Sequence, residues 1–289
     1  MKKLLSLLLL VCPAIIAQPS LQETRAQAAK ELLLARGAHF SRAITQTTLK
    51  TGPENWIFIP AAGSLPGNFG TFYKSDLMLA NYRSVQQRVR LRWMPINASG
   101  FSTTTTFVTL PANTALALSD VVAQTMHYSG LGAIEIVART ASDAIDLDAQ
   151  IDAFSRIWTP QPNTTLGTVS QNFGGMGIFH TEGTGPAFAL GLQQDSKFRT
   201  NIGIVNIDFF NAHTWTVQVV GTSGSTSFTV QVPAFSMVQT SIPGGTFGPL
   251  YVVFTPDGSM SGEDWSAYAA TSDNGTGDGW VSTATQITP

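Results

Sequence analysis

Cysteine is nearly absent from this sequence: Cys12 is the one example in 289 residues, and it falls in an N-terminal stretch that reads as an export signal. The mature chain is therefore expected to hold no disulfide, no thiolate metal site and no cysteine nucleophile. Its stability has to come from buried apolar area. Charge is scarce too, at 12% of residues, and 16 basic side chains face 18 acidic ones. The basic footprint of a nucleic-acid binder is missing, more so once Lys2 and Lys3 leave with the signal. Four histidines, His39, His127, His180 and His213, are scattered, with no H-E-x-x-H and no pair at ligand spacing, so no zinc site is indicated. There is no G-x-S-x-G elbow and no G-x-x-x-x-G-K-[ST] loop, which removes the readable signatures of α/β-hydrolase and nucleotide chemistry. Beyond the first 17 residues no run is long and apolar enough to span a bilayer. No cofactor, metal or catalytic set is read from these residues.

Met1 to Ala17 combines two lysines, a leucine-rich apolar run and a small residue at its end, the layout of a secretory signal cleaved after Ala17. Val11 ahead of Cys12 fits a lipoprotein cleavage box poorly. Export is implied, to the periplasm, the cell surface or the extracellular medium. Residues 18–50 read as a partly helical leader. Within it Leu21 to Arg36 is opened by Ser20 with Glu23 three residues on, a capping box, and closed by Gly37.

From Trp56 onward the period changes to two. Val89, Leu91 and Trp93 alternate with Arg88, Arg90 and Arg92; Ile145, Leu147, Ala149, Ile151 and Ala153 alternate with Asp146, Asp148, Gln150 and Asp152. Each pattern predicts a strand with one buried and one wet face. Trp215, Val217 and Val219, then Phe228, Val230 and Val232, continue the alternation, and Leu250 to Phe254 is a continuous apolar run suited to a sandwich core. Asn274-Gly275 predicts a tight hairpin joining AYAATS to WVSTAT.

One building block is written twice. FYKSDLMLANYRSVQQRVRLRWM from Phe72 is echoed by FRTNIGIVNIDFFNAHTWTVQVVG from Phe198, both apolar strands ending in Asn, at Asn81 and Asn206. Later VTLPANTALAL matches VQVPAFSMVQT, GAIEIVA matches GPLYVVF, and AFSRIW matches AYAATS. The expected fold class is all-β, with two tandem antiparallel β-sandwich domains of immunoglobulin-like topology after the signal and a short helix. The first repeat is expected over 51–160 and the second over 191–289, with a Gly/Pro/Thr-rich linker at 161–190.

Ile59-Pro60 precedes Lys74-Ser75-Asp76 and a strand ending at Asn81; Arg199-Thr200-Asn201 leads to Asn206; Ala267-Tyr268-Ala269 runs on to Asp273-Asn274-Gly275-Thr276-Gly277-Asp278. This pattern resembles uncharacterised bacterial exported proteins with tandem immunoglobulin-like repeats, whose strands read [RK]-[ST]-[DN]-hydrophobic-x-hydrophobic-x-N and whose repeats end AYAS-x-x-DN-x-TGD. The first copy departs from the ending, reading AFSRIWTP at Ala153 to Pro160. The resemblance covers Trp56 to Thr285 and implies the sandwich architecture, with no catalytic residues.

Three groups of residues are candidates for function. Asp146, Asp148 and Asp152 would share one strand face and either hold Ca²⁺ or, the favoured reading, pair with Arg88, Arg90 and Arg92. The Asp273 to Asp278 loop departs from the EF-hand pattern and reads as a turn. Aromatic rings near strand ends, Trp56, Phe69, Phe72, Tyr73, Trp158, Trp265 and Trp280, either cap the core or stack on sugars; Trp56, Tyr73, Trp158, Trp265 and Trp280 are the candidate ligand-binding residues. The function expected is an exported, non-enzymatic surface or extracellular interaction and structural module, whose partner is a cell-surface protein or glycan. The alternatives are a carbohydrate-binding module that uses its loop aromatics, and a secreted hydrolase with its site in Gly174 to Gly191, near His180 and Glu182.

Overall fold

A computed structural model of the chain describes residues 20–45, 54–67, 70–162, 166–178, 183–260 and 265–286. The stretch read above as an export signal, with Cys12, lies outside them, as do Phe69, His180 and Glu182. The first element, α1 (Leu21–Thr45), opens with the expected capping box: the Ser20 N–H donates to Glu23 Oε2 at 2.7 Å and the Glu23 N–H to Ser20 Oγ at 3.2 Å. It runs through Gly37 rather than ending there. An interior glycine costs only about 1 kcal/mol, and no proline follows to enforce a stop. The helix docks on the body through buried Ala28, Leu32 and Ala35 and a 2.6 Å ion pair from Glu31 to Arg139. Among the described residues no helix is long and apolar enough to cross a membrane.

Nine strands follow: β1 (Trp56–Pro66), β2 (Phe72–Asn81), β3 (Gln87–Pro95), β4 (Thr105–Leu110), β5 (Thr114–Leu118), β6 (Gly130–Arg139), β7 (Ile151–Pro160), β8 (Thr168–Gly174) and β9 (Met176–Gly177). They form antiparallel layers in the orders β4-β3-β6-β1-β9 and β5-β2-β7-β8, joined at a corner where Leu65 and Pro66 pair with Tyr73 and Phe72. Nine more complete the chain: β10 (Ala187–Gln194), β11 (Phe198–Asn206), β12 (His213–Gly221), β13 (Gly224–Val232), β14 (Ser236–Ser241), β15 (Gly248–Pro256), β16 (Trp265–Asp273), β17 (Gly279–Thr283) and β18 (Thr285–Gln286). Their orders are β13-β12-β15-β10-β18 and β14-β11-β16-β17, the same arrangement strand for strand.

The correspondence extends to individual residues. The β1–β6 ladder shifts register between Ile59 and Ala62, and the β10–β15 ladder between Ala189 and Leu192. After the bulge Ala62 pairs with Gly132 as Leu192 pairs with Leu250, so the counterpart of Gly132 in the second copy is Leu250, not the Gly248 of the sequence match. Asn113 and Phe235 take the same left-handed backbone, at φ 50° and 49°. Asn81 Nδ2 donates to the carbonyls of Val85, Leu110 and Pro111; Asn206 Nδ2 donates to those of Asn211, Val232 and Pro233. One buried amide thus ties two loops together in each copy.

Three sequence expectations are revised. The 161–190 segment expected as a linker contains β8, β9 and the start of β10; Val169 and Phe173 point inward and are buried, so apolar alternation outweighs the Gly/Pro/Thr content. Ile145 to Gln150 is a loop, with β7 starting at Ile151. Ile145 and Ala149 are buried beneath it, which is what their alternation reports. The β16–β17 hairpin forms, but over Asp273 to Asp278 and with positive φ at Gly277 rather than at Asn274-Gly275. N–H bonds from Thr276 and Gly275 to the Asp273 carboxylate shape this wider turn and hold that carboxyl below the usual range.

Each copy encloses an apolar core between its layers. One cluster packs Trp215, Val217, Val252, Phe254 and Trp265 within the second copy. The other fills the first copy and continues into Ile207, Phe209, Phe235, Met237 and Tyr268 of the second. The outer face of β14-β11-β16-β17 is therefore seated on the first copy.

Candidate functional site

That seating leaves a cleft of about 430 Å³ where the β1–β2 corner faces the β16–β17 turn. Tyr73, Ile157 and Phe173 line it from the first copy; Arg199, Asn201, Gln239 and Ser272 line it from the second. Arg199 and Asn201 sit two apart on β11 and so project to the same side, and the Asp273–Asp278 turn closes one end. Most of the polar groups are already positioned. Arg199 Nη1 donates to Asn274 Oδ1 at 2.8 Å, Ser241 Oγ to Asn201 Oδ1 at 2.9 Å, the Tyr268 hydroxyl to Gln239 Oε1 at 2.6 Å, and Gln171 Nε2 to Ser272 Oγ at 3.0 Å. Burial pushes the Tyr268 hydroxyl up, so it stays protonated and serves as a fixed donor. Arg199 is the one charged side chain in the described lining. Amides, hydroxyls, an aromatic ring and a single guanidinium suit a neutral or weakly acidic ligand with both hydroxyl edges and an apolar face.

The five aromatic candidates divide. Tyr73 lines the cleft. Trp280 is 40% exposed on the other side of the same turn, its Nε1 donating to the Gly191 carbonyl at 2.8 Å and its ring edge-on to Phe198. Trp158 is half-buried on the outer face of β7, bonded to Asp76 Oδ2 at 2.7 Å. Trp56 stacks on Phe209 and Trp265 packs on Trp215; both are fully buried and offer no face to a ligand, because the second copy covers one and its own core encloses the other. Sequence reasoning passed over Gln171 and Gln239, which carry no local signal. Arg199 and Asn201 stood in the [RK]-[ST]-[DN] motif but were read there as architecture alone.

The arginine row does pair with acids, though not with the set expected. Arg88 bonds Asp143 at 2.8 Å, whereas Arg90 and Arg92 converge on Glu135 at 3.3 and 3.4 Å. Asp146 instead bonds Arg83 at 2.9 Å from its loop. Among the described residues no group of three or more His, Cys, Asp or Glu is placed to hold a metal.

At the far end of the second copy, buried His213 lies between two acids and a hydroxyl. Its Nε2 is 2.9 Å from Asp208 Oδ2, and its Nδ1 is 3.1 Å from Ser259 Oγ and 3.4 Å from Asp257 Oδ1. The Asp, His, Ser order is that from which a serine nucleophile is activated. Here, however, Ser259 Oγ bonds Asp257, while Asp208 also accepts the N–H groups of Phe210 and Asn211. These bonds tie the β11–β12 loop to the end of β15. None of these residues lines the cleft.

Burial works against both carboxylates. Bonds from His213, Phe210 and Asn211 nevertheless hold Asp208 below the usual range, and bonds from Ser259 and Thr214 do so for Asp257. A depressed carboxylate contributes stability above its unfolded value, about pH 4, and loses it as pH falls through the folded value. The Asp208→Asn chain is therefore expected to be less stable than the parent at neutral pH, with the gap narrowing at about pH 3. Urea midpoints at the two pH values check this, and a gap that does not change with pH contradicts it.

No protein-family model matches the chain, and the curated proteins contain no match to it. Its function is therefore argued from the site itself.

Proposed function

We propose that the chain is an exported, non-enzymatic interaction module of two immunoglobulin-like repeats, acting at the cell surface or beyond it. The strand order supports the immunoglobulin-like part. With β1, β2, β3, β6, β7 and β8 taken as strands B to G, one layer reads D-E-B and the other C-F-G. β9 occupies the edge beside B that strand A takes in that fold, while β4 and β5 are additions. The observation that carries the interaction reading is the cleft between the copies, a pre-formed concave surface with convergent polar groups.

The chemistry of that cleft favours a glycan as ligand. Sugars present hydroxyls that pair with amides and a C–H face that rests on an aromatic ring; Tyr73 supplies the ring, Asn201, Gln239 and Gln171 the amides, and Arg199 a contact for a carboxylated sugar. On a glycan array the mature chain is expected to bind saturably. Tyr73→Ala and Arg199→Ala are each expected to weaken binding about tenfold, or 1.4 kcal/mol. An absence of saturable binding removes the glycan reading. Turnover of ester, glycoside or peptide substrates that is lost on Ser259→Ala replaces the non-enzymatic reading with a hydrolase centred on His213 and Ser259; turnover lost on substitution of His180 and Glu182 replaces it with the hydrolase expected in Gly174 to Gly191.

A further inference from the structure

We infer that copies of this chain dock head to tail, the outer face of β5-β2-β7-β8 on one copy against the outer face of β13-β12-β15-β10-β18 on the next. The contact inside the chain already has this form. In the second copy, Gly203 pairs with Gln239 and Tyr268 across the ladder, and Val205 pairs with Met237. This face presses on the first copy: Tyr268 meets Phe173 edge-on at 5.1 Å, and the Asn97 N–H donates to the Met237 carbonyl at 2.9 Å.

In the first copy the same ladder places hold Met78, paired with Ala117 and Phe154, and Ala80, paired with Ala115. Tyr82, just after Asn81, stands where Ile207 follows Asn206. Among the described residues Met78, Tyr82 and Phe154 are 51%, 53% and 44% exposed, with Ala80 half-buried between them. Large apolar side chains gathered on one face mark an interaction surface. The occupant is indicated by the equivalent face, which in this chain is covered by another copy of the same unit.

The receiving surface has a free equivalent as well. In the first copy it is the outer face of β3, β6 and β1, where Phe58 lies beside Glu135 and packs on Phe235 of the second copy. In the second copy the ladder puts Phe188 beside Val253, with Tyr251 two residues along. Tyr251 is 38% exposed. Where the first copy buries Arg90, Arg92 and Glu135, the second has Thr216, Gln218 and Val253 at the corresponding ladder positions. These receiving positions carry no charge that docking would desolvate. Two different surfaces on one chain make a heterologous contact, which propagates into a ring or an open filament.

This deepens the interaction-module reading and rests on it, yet the two fail separately, since the docking faces lie outside the cleft. Sedimentation velocity of the mature chain, from micromolar to submillimolar, is expected to show dimers and larger species growing with concentration. Phe154→Glu on one face and Tyr251→Glu on the other are each expected to weaken self-association about tenfold or more, with an unchanged circular-dichroism spectrum and unchanged glycan binding. Mixing the two variants leaves one intact pair of faces and is expected to yield a dimer that neither forms alone. A chain monomeric at every concentration overturns the inference. So does an association indifferent to Tyr251→Glu, which would mean like faces meeting.

Discussion

Replacing Glu135 with alanine is expected to cost about 3–5 kcal/mol of folding stability, seen as a lower denaturant midpoint with an unchanged slope. The carboxylate is fully buried on the outer face of β6, and Arg90 and Arg92, themselves buried, both reach it. The Arg92 guanidinium lies over the rings of Phe101 and Phe235, at 5.1 and 5.6 Å from their centroids. Burial pulls Arg90 below its ordinary value while Glu135 works in the opposite direction. Without Glu135, two guanidiniums would stay under an apolar cover without the carboxylate that both of them reach. Replacing all three by Leu or Met of similar volume is expected to restore most of the loss, since a well-packed apolar set equals or betters a buried ion pair. A loss below about 1 kcal/mol for Glu135→Ala would mean that water reaches the pair and screens it.

Asn81→Ala and Asn206→Ala are each expected to cost roughly 2–4 kcal/mol, since each removes the two amide hydrogens shared among three carbonyls and the acceptor of the Arg83 or Asp208 N–H, at about 1 kcal/mol per bond, and strands partly buried carbonyls. The two losses should be close to equal because the amides hold the same loops in the same way. Asn→Asp substitutions should be at least as harmful, for a carboxylate cannot donate to those carbonyls. Chemical denaturation of the four variants measures this. Losses from the two alanine variants that differ by more than about 2 kcal/mol, well beyond the expected spread for one mechanism, would contradict the equivalence of the copies.

These two sites differ in how far the sequence announces them. Asn81 and Asn206 recur at the same place in a repeated strand, and an amide that returns at a strand end invites a structural reading before any coordinates are seen. Glu135 gives no such notice. It interrupts an apolar run on β6, and its partners Arg90 and Arg92 resemble the wet side of an ordinary alternating strand. Period-two patterning identifies faces but not what lies on them, and here α1 and the second copy cover the arginine side. The same blindness explains why Asp146 and Asp148 were grouped with those arginines: alternation cannot distinguish a strand from a loop that buries every second residue.

The cleft was legible only in fragments. Tyr73 stands out for its ring, and Arg199 and Asn201 belong to the repeated motif, while Gln171 and Gln239 come from strands that nothing in the sequence marks. Trp56 and Trp265 look like exposed end rings until the packing of the copies is known, because indole at a strand end is compatible with either side of an interface.

The all-β class, the duplication, the capping box of α1 and the twin asparagines are written in the residues alone, since these rest on local periodicity, local hydrogen bonding and self-similarity. Which outer faces are buried, where the charges pair and where the cleft opens emerge from the packing of the folded chain. Those depend on contacts between residues more than a hundred positions apart, such as Gln171 with Ser272 and Glu31 with Arg139, and no local pattern encodes the approach of one copy to the other.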